Sequence, residues 1–590
     1  MKLTGEQKEA IDTGITQDIL IRAVAGAGKS STLNAFAKHL ISNGTEIDKI
    51  KILVFNTENA QSLIKKFGIQ WSRSISTINS LGNQILKNHL GRSKVDPYKY
   101  MRLANELAVF NFDLKDKKAP ISKKASFHTL INLVRANNLT TLDTSVLQDI
   151  QRDSLIEGIR DWDYVCEKLK LVINQGNMLA EEAQIIDYLD QIWLPVRWNL
   201  AKEVTGLKYI CLDEAQDTNK LQQQFIVDLK DKETIFVGVA DPRQAIYGFA
   251  GADTNSFDTL ITAHNAKEVG LSLCFRCPKS HIKLVNRLYP DIDIKAREDA
   301  PIGTMSFIGS EQLTKETLQE GDLIICRSKG PLVSLCINLI ARGVDATIIG
   351  ENIVKELAEI IHGVCEMPGF KFEEFLEFLA EYHKFKLGLY KSEVNEEELS
   401  ERLEDKIEAV KALYSNKPFS DINEFNQYIH QVLDRNQATV NLCSCHKAKG
   451  LEADRVFILE PDRLPHIRTN QSQEQFQQEL NLHYVALTRS KRDLFFIGSA
   501  TWIDLSVLDS FDTDNSQELP ELQTDLKKPK LDEPGLDTSN YQKVAKSASN
   551  LSLTEKSRLI AQLRQEITNE QLELTISDYQ TIENGNGVNS

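Results

Sequence analysis

The sequence predicts an α/β protein built from two lobes, each a parallel β-sheet covered by helices. Short apolar runs alternate with helical patterns in two separate parts of the chain, and this alternation is typical of parallel sheets. The predicted strands are Asp18–Ala23, Lys51–Asn56, Lys208–Leu212 and Thr234–Val239 in the first set, and Asp322–Cys326, Thr439–Ser444, Arg455–Leu459 and Asp493–Ile497 in the second. A chain of 590 residues is also too long for a single hydrophobic core.

A helical, strand-poor stretch interrupts each set of strands. These stretches predict an insertion over residues 89–199 and a smaller one, rich in Glu and Lys on a helical period, over residues 370–435. The first lobe then comprises residues 1–88 and 200–276, and the second comprises residues 277–369 and 436–505. Residues 506–590 are predicted to form an acidic linker and tail. A helical pattern near Ser552–Leu574 favours a plain helix, with a partner-binding segment as the alternative.

The composition indicates which cellular compartment and which kind of partner to expect. No run approaches the roughly 18 apolar residues of a membrane span, and the N-terminus lacks the pattern of a secretion signal, so we expect a cytoplasmic protein without a membrane segment. The net charge of −15 argues only modestly against nucleic acid, because a local basic groove can still bind a polyanion.

The nine cysteines are an odd number and fit a reducing compartment. Cys274-x-x-Cys277 and Cys443-x-Cys445-His446 offer possible zinc ligands. Because both pairs adjoin strand-like runs, buried and inert thiols are the favoured interpretation.

A phosphate-binding loop is predicted where the first strand meets a helical pattern. The segment AVAGAGKS, residues 23–30, follows an apolar run and precedes the helical pattern SSTLNAFAKHL. Small residues allow backbone N–H groups to surround phosphate, Lys29 suits the β and γ phosphates, and the Ser30 hydroxyl suits Mg²⁺. The predicted nucleotide contacts in the loop are Ala25, Gly26, Ala27, Gly28, Lys29, Ser30 and Ser31. The motif departs from its usual form only by Ala23 at the first position.

Two carboxylates after a second strand complete this prediction. The segment YICLDEAQD places Asp213 and Glu214 directly after an apolar run. Asp213 suits Mg²⁺, and Glu214 suits removal of a proton from the attacking water. A helix N-terminal cap is the alternative for this segment taken alone.

With these two motifs and the later ones, the sequence closely resembles the UvrD/Rep-like branch of superfamily 1 helicases. The matching segments appear in the order of that family over roughly residues 3–498: LTGEQ at 3–7, DPRQAIYGFAGA at 241–252, LSLCFRCP at 271–278, HKAKGLE at 446–452 and ELNLHYVALTR at 479–489. The resemblance implies two RecA-like domains, each with a helical insertion, plus the C-terminal tail.

The resemblance also implies roles for individual residues. Gln7 would read the adenine, Phe275 would stack on it, and Glu452 would bind the ribose. Gln244 would contact the γ-phosphate or the water. Arg276 and Arg489 would bring positive charge to the transferred phosphoryl group when the lobes close.

Single-stranded nucleic acid would cross the tops of both lobes, stacked on Tyr247 and Phe249 and contacted by His446. Core packing is the alternative for the two aromatic residues. The sequence departs from the family at Ala250, where Arg is common, and at Thr57, Glu58 and Asn79 in the early strand-contact segments.

The predicted function is therefore an ATP-dependent DNA helicase or translocase that moves 3′ to 5′ on single-stranded DNA, with ATP and Mg²⁺ as cofactors. Single-stranded or tailed duplex DNA is the expected partner, with a protein partner possible through the tail, and a monomer or weak oligomer is expected. The alternative is a nucleic-acid-stimulated NTPase that acts as a regulatory or defence module without productive unwinding. An RNA helicase is less favoured.

Overall fold

Two six-stranded parallel sheets form the framework of the protein, as the sequence predicts. The computed structural model describes residues 3–112, 119–154, 156–248, 251–253, 255–349, 353–391, 396–433, 438–468, 471–500 and 502. Its strands are β1 (Ile19–Ala23), β2 (Ile50–Val54), β3 (Ile75–Thr77), β4 (Lys94–Val95), β5 (Ile185–Ile186), β6 (Tyr209–Leu212), β7 (Ile235–Ala240), β8 (Lys267–Leu271), β9 (Leu273–Cys274), β10 (Lys295–Ala296), β11 (Thr304–Ile308), β12 (Asp322–Cys326), β13 (Ala346–Ile348), β14 (Val440–Ser444), β15 (Ala453–Leu459) and β16 (Ser490–Ile497).

Helices cover both sheets and form the insertions. They are α1 (Gly5–Gly14), α2 (Lys29–Ser42), α3 (Thr57–Phe67), α4 (Ile78–Leu90), α5 (Lys99–Glu106), α6 (Lys124–Ala136), α7 (Thr144–Asp153), α8 (Trp162–Ala183), α9 (Asp190–Arg197), α10 (Lys220–Asp228), α11 (Ser256–His264), α12 (Lys279–Leu288), α13 (Lys329–Ala341), α14 (Ile353–Cys365), α15 (Phe375–Tyr390), α16 (Glu396–Ser415), α17 (Ile422–Leu433), α18 (Cys445–Ala448) and α19 (Gln473–Leu487). Within the described ranges, none of these helices is both long and apolar enough to cross a membrane.

The strand order places the functional loops on one edge of each sheet. The first sheet has the order β3-β2-β6-β7-β1-β8 and the second has the order β11-β16-β15-β12-β14-β13. Because all pairings are parallel, the carboxyl ends of β1, β6 and β7 lie on the same edge. The phosphate loop and the two motifs that follow β6 and β7 therefore meet there.

All eight predicted strands are present, and four more complete the sheets. The additional strands, β3, β8, β11 and β13, occupy the two edges of each sheet. At most of their positions β3, β8 and β11 are partly or fully exposed, whereas β2, β6 and β12 are buried throughout. The sequence analysis missed these three because an edge strand needs less apolar surface than a central one, and it missed β13 because that buried strand has only three residues.

The two insertions are stabilised in different ways. Helices α5–α9 lie between β3 and β6 and enclose a fully buried ionic cluster, in which Lys99 Nζ is 2.7 Å from Asp190 Oδ2 and Arg135 Nη1 is 2.9 Å from Asp190 Oδ1. Helices α15–α17 instead pack an aromatic cluster, with the rings of Phe375 and Tyr414 stacked at 4.7 Å. The helix predicted near Ser552–Leu574 lies outside the described residues.

Candidate nucleotide cleft and strand-binding face

The phosphate loop connects β1 to α2 in a shape that only glycine permits at two positions. Gly26 and Gly28 have φ angles of +69° and +81°, where a Cβ atom is disfavoured. A Cβ on Gly26 would also lie 2.8 Å from Cβ of Arg276 and 3.0 Å from Sγ of Cys274. With Lys29 as the first residue of α2, the loop has the glycines, the lysine and the helix N-terminus that a phosphate chain requires.

The charged side chains at the end of β6 converge on this loop. Lys29 Nζ lies 2.6 Å from Oε2 of Glu214, and the Ser30 hydroxyl lies 3.3 Å from Oδ2 of Asp213. Gln216 Nε2 donates to the same Glu214 oxygen at 2.5 Å. Glu214 itself has a φ of +54°, an uncommon value for a residue with a side chain. The site thus holds the predicted water-activating carboxylate against the predicted phosphate-binding lysine.

Burial and neighbouring charges shift the pKa values of the two carboxylates of this motif in opposite directions. Burial, followed by the charge of Glu214, raises the pKa of Asp213 to about 6. Burial also raises the pKa of Glu214, but the ammonium groups of Lys29 and Lys449 outweigh it and bring that pKa down to about 2. Glu214 is therefore ionised at neutral pH and Asp213 titrates just below it.

The motif that follows β7 is hydrogen-bonded to the same group of side chains. Gln244 Nε2 donates to Oδ2 of Asp241 at 2.6 Å, and the Asp241 N–H donates to Oε1 of Gln216 at 3.0 Å. Gln216 therefore bridges the ends of β6 and β7, and the predicted γ-phosphate contact Gln244 is held beside the carboxylates.

Side chains of the second lobe reach into the first. Lys449 Nζ lies 2.5 and 2.7 Å from the two carboxylate oxygens of Asp217 and 2.5 Å from the backbone oxygen of Gln244. The fully buried Tyr484 hydroxyl accepts a hydrogen bond from the Ala25 N–H of the phosphate loop at 2.9 Å. The lobes are thus linked directly at the cleft.

Both predicted arginines contact groups of the second lobe. Arg276 Nε donates to Oε2 of Glu452 at 2.8 Å and its Nη1 donates to the Thr488 carbonyl at 3.2 Å. Arg489 is 1% exposed, and its Nε donates to the Val485 carbonyl at 2.8 Å. Burial, followed by the charge of Arg276, lowers the pKa of Arg489 to about 10. Both lie close to the cleft, and their roles in hydrolysis stay predictions.

The predicted adenine contacts gather beside Gly28. A Cβ on Gly28 would lie 3.4 Å from Nε2 of Gln7 and 3.9 Å from Cδ2 of Phe275. The buried Gln7 amide donates to the Thr32 hydroxyl at 3.2 Å and accepts from the Thr4 N–H at 3.1 Å. These bonds fix the Gln7 side chain at the start of α1.

Glu452, the predicted ribose contact, has both carboxylate oxygens bound by cations. Oε2 accepts from Arg276, and Oε1 lies 2.7 Å from Lys491 Nζ. Burial raises its pKa, but Lys491 and Arg276 more than offset this and hold the pKa below its ordinary value. The carboxylate is therefore charged at neutral pH.

The structure describes only some of the residues predicted to contact single-stranded nucleic acid. The half-buried Tyr247 ring lies parallel to the Phe55 ring, with centroids 5.9 Å apart, and Lys449 Nζ lies 4.9 Å from the centre of the Tyr247 ring. His446 is half-buried; burial and the nearby Arg327 lower its pKa to about 3, so it is neutral at physiological pH. Phe249 and Ala250 lie outside the described residues.

Sequence analysis missed three side chains of the cleft as site residues. All three, Asp217, Gln216 and Tyr484, stand inside recognised motifs. The contacts of Asp217 and Tyr484 depend on how the two lobes face each other, and those of Gln216 depend on the adjacent ends of β6 and β7. For Lys449, in the segment HKAKGLE, the resemblance to the family implies a lobe-linking role. The signal for Tyr484 was its position five residues before Arg489 in the segment ELNLHYVALTR.

The two sheets and this loop define a P-loop nucleotide-binding protein with two lobes. The UvrD/REP helicase N-terminal domain matches residues 3–265, and the UvrD-like helicase C-terminal domain matches residues 440–497. The chain belongs to the UvrD/Rep-like helicase family.

Individual relatives agree with this family. The chain is 26% identical over 314 residues to an ATP-dependent DNA helicase Rep of Buchnera aphidicola subsp. Acyrthosiphon pisum, covering 49% of this chain and 45% of that protein. It is 23% identical to F-box DNA helicase protein 1 of Schizosaccharomyces pombe, covering 85% of this chain and 58% of that protein. DNA helicase II of Haemophilus influenzae is 21% identical, with 83% of each chain covered. The chain spans about half the length of the first two relatives.

Proposed function

We propose that the protein is an ATP-dependent DNA helicase or translocase that moves 3′ to 5′ on single-stranded DNA and couples ATP hydrolysis to strand separation. The observation that carries the proposal is Lys449, which comes from the second lobe and binds Asp217 and the Gln244 carbonyl in the first. The names of the relatives support DNA as the polymer. The direction follows from the resemblance to the family.

Nucleotide binding would change the partner of Lys29. In the structure its ammonium neutralises Glu214 at 2.6 Å. A phosphate chain in the loop carries more negative charge than one carboxylate and would draw Lys29 away. Glu214 would then keep Gln216 as a hydrogen-bond donor and would lose the cation that contributes most to its low pKa, which makes the carboxylate a stronger base. Water activation would therefore begin only once phosphate is bound.

The residues beside the loop fit Mg²⁺. The Ser30 hydroxyl and the Asp213 carboxylate lie 3.3 Å apart, and oxygen ligands of this kind suit that ion. When bound, Mg²⁺ would neutralise charge on the β- and γ-phosphate oxygens. Asp213 must be ionised to serve as a ligand.

The second lobe would complete the site on closure. Arg276 already lies against the phosphate loop, since its Cβ is 2.8 Å from the Cβ position of Gly26. To reach the γ-phosphate, Arg489 would have to exchange the Val485 carbonyl for phosphate oxygens. Hydrolysis would then depend on a rearrangement within α19 and the residues that follow it.

Strand binding would reach the same centre through Lys449. Its ammonium contacts the Tyr247 ring on the predicted strand face and Asp217 beside the catalytic carboxylates. A base stacked on Tyr247 would therefore lie close to Lys449, the residue that joins the lobes.

We also propose the lobe limits given by the sequence, with residues 89–199 and 370–435 as insertions.

One observation favours the alternative of a nucleic-acid-stimulated NTPase without unwinding. Glu58 is exposed in the first turn of α3, which begins at the predicted strand face. A carboxylate there opposes the attraction of phosphate to a helix N-terminus. Weaker strand contact would reduce unwinding before it reduced hydrolysis.

The test is to measure ATP turnover with and without single-stranded DNA or RNA, together with strand displacement from 3′-tailed and 5′-tailed duplexes. We expect stimulation by DNA and displacement of 3′-tailed duplexes. Glu214→Gln is the matched control, because it should retain nucleotide binding and lose both activities. Displacement of 5′-tailed duplexes alone would contradict the direction. Stimulated turnover without displacement would favour the alternative.

A further inference from the structure

Two cysteines lie in contact under the phosphate loop. The Cys277 N–H donates to Sγ of Cys274 at 3.3 Å. Cys274 ends β9, and Pro278 directly precedes α12, so the pair is held in a tight turn between a strand and a helix. The side chains of Cys274 and Cys277 are 0% and 2% exposed.

The same turn carries two predicted nucleotide contacts. Phe275 and Arg276 lie between the cysteines, and the Phe275 N–H donates to the Gly26 carbonyl at 2.9 Å. On its other side, Sγ of Cys277 donates to the Thr488 carbonyl at 3.5 Å. The dithiol therefore contacts the phosphate loop of the first lobe and the residue before Arg489 in the second.

The electrostatic setting distinguishes these thiols from the other buried cysteines. The neighbouring Cys277 thiol, together with backbone N–H groups and Arg276, lowers the pKa of Cys274 to about 6, while the pKa of Cys277 is raised. By contrast, burial raises the pKa of Cys211 and of Cys326 to about 12. A thiolate next to a thiol is the arrangement of reactive Cys-x-x-Cys pairs.

A metal does not account for the pair. Across the described ranges, no group of three or more His, Cys, Asp or Glu side chains is placed to hold a metal ion.

We infer that Cys274 and Cys277 form a redox site that a low-molecular-mass disulfide, such as oxidised glutathione, converts to an internal disulfide when the cleft is open. The inference rests on the proposed function only for its effect on ATP turnover. It differs from the expectation of inert thiols made from the sequence.

The reaction balances in two exchange steps. The Cys274 thiolate attacks one sulfur of the oxidant and displaces a thiolate, which leaves a mixed disulfide on Cys274. The Cys277 thiol gives its proton to that released thiolate, and its sulfur then attacks Cys274 Sγ and displaces the second oxidant thiolate. Two protein sulfurs are oxidised, and one oxidant disulfide is reduced to a thiol and a thiolate.

The two cysteines lie between the lobes. This position determines both the access of the oxidant to their sulfur atoms and the effect of a disulfide on ATP turnover. Separation of the Thr488 segment from the phosphate loop would expose the sulfur atoms, and bound nucleotide would keep them covered. A disulfide would remove the contact of Cys277 with Thr488 and change the turn that positions Phe275 and Arg276. A displacement of about 1 Å in a positioning group can cost about 10²-fold in rate, which is the expected loss of ATP turnover.

The experiment treats the full-length protein with oxidised glutathione, with and without a non-hydrolysable ATP analogue and Mg²⁺. Peptide mass mapping after alkylation identifies the disulfide, and ATP turnover is measured before and after reduction by dithiothreitol. We expect a Cys274–Cys277 disulfide, slower formation with the analogue, and a reversible loss of turnover. Cys277→Ser should instead retain a glutathione adduct on Cys274, whereas Cys166→Ser, in the remote helix α8, should behave as wild type.

Mass mapping decides the inference even if the protein proves not to hydrolyse ATP. The inference would be overturned if the two thiols stay reduced while another cysteine is modified, or if a stoichiometric Cys274–Cys277 disulfide leaves turnover unchanged. Absence of turnover in the reduced protein would count against the proposed function alone.

Discussion

The two lobes contribute to the nucleotide cleft in different ways. In the first lobe, the charged groups of the predicted phosphate site are paired with one another, as Lys29 is with Glu214. In the second lobe, the predicted cation Arg489 is bound by the Val485 carbonyl of its own lobe. Direct links between the lobes are made by other side chains, among them Lys449, Tyr484 and Asn481. Contact between the lobes and the approach of Arg489 to the phosphate are therefore separate events.

The largest expected effect is in the first lobe. Lys29→Ala removes the cation for the phosphates and leaves Glu214 without its ion pair, so we expect ATP turnover to be abolished. Lys38→Ala changes an exposed lysine on the same helix and should retain turnover. Comparable rates for the two variants would show that the first lobe does not hold the phosphate chain.

The second lobe is tested through Arg489. If its guanidinium transfers from the Val485 carbonyl to phosphate, Arg489→Ala should cost roughly 10³–10⁵ in turnover while the affinity for an ATP analogue stays nearly unchanged. Because the residue is buried, the melting temperature must be measured with the rate, and Arg489→Lys tests whether charge alone suffices. A loss of turnover that merely follows a fall in melting temperature would make Arg489 a packing residue.

The link between the lobes should depend on pH. Burial raises the pKa of Asp217 to about 6 even though Lys449 lowers it, so its carboxylate is ionised above pH 6 and becomes neutral as the pH falls through that value. Stimulation of turnover by DNA should then fall about tenfold per pH unit below 6, because the charged fraction falls by that factor. The measurement is DNA-stimulated turnover from pH 5 to 8. Asp217→Asn should lack stimulation at every pH, and a wild-type profile in that variant would contradict the link.

Tyr484 should have a smaller effect. Tyr484→Phe removes one hydrogen bond to the Ala25 N–H, worth about 1 kcal/mol, and so should weaken lobe closure about fivefold. The distance between fluorescent labels on the two lobes reports closure. Tyr289→Phe, which alters a buried tyrosine bonded within the second lobe, is the matched control. Equal effects of the two substitutions would mean that Tyr484 only supports packing.

The smallest effect is expected for the tail. Truncation after Leu505 removes residues 506–590, which the sequence predicts to lie outside both lobes. Basal and DNA-stimulated turnover should therefore remain as in the full chain. Loss of folding or of basal turnover would show that one lobe needs the tail.

The central strands and the first-lobe site were predictable because both depend on local sequence. A buried parallel strand is an apolar run, and the phosphate loop is a fixed spacing of residues after it. The edge strands β3, β8 and β11 lack such a run, and β13 has only three residues. The partner of Tyr484 could not be predicted either, because it depends on the relative position of two lobes joined by distant parts of the chain.

The order of strands in the first sheet has a consequence for how the chain folds. β1 lies between β7 and β8, and β2 pairs with β6, so early strands must wait for partners that follow the whole α5–α9 insertion. At about 5–20 residues per second, synthesis from Ala23 to Leu271 takes on the order of tens of seconds. During that interval the apolar segments Ile19–Ala23 and Ile50–Val54 have no completed sheet to enter, and such non-local pairing is slow and exposed to aggregation. Newly made chains should therefore depend on chaperones until residue 271 has left the ribosome.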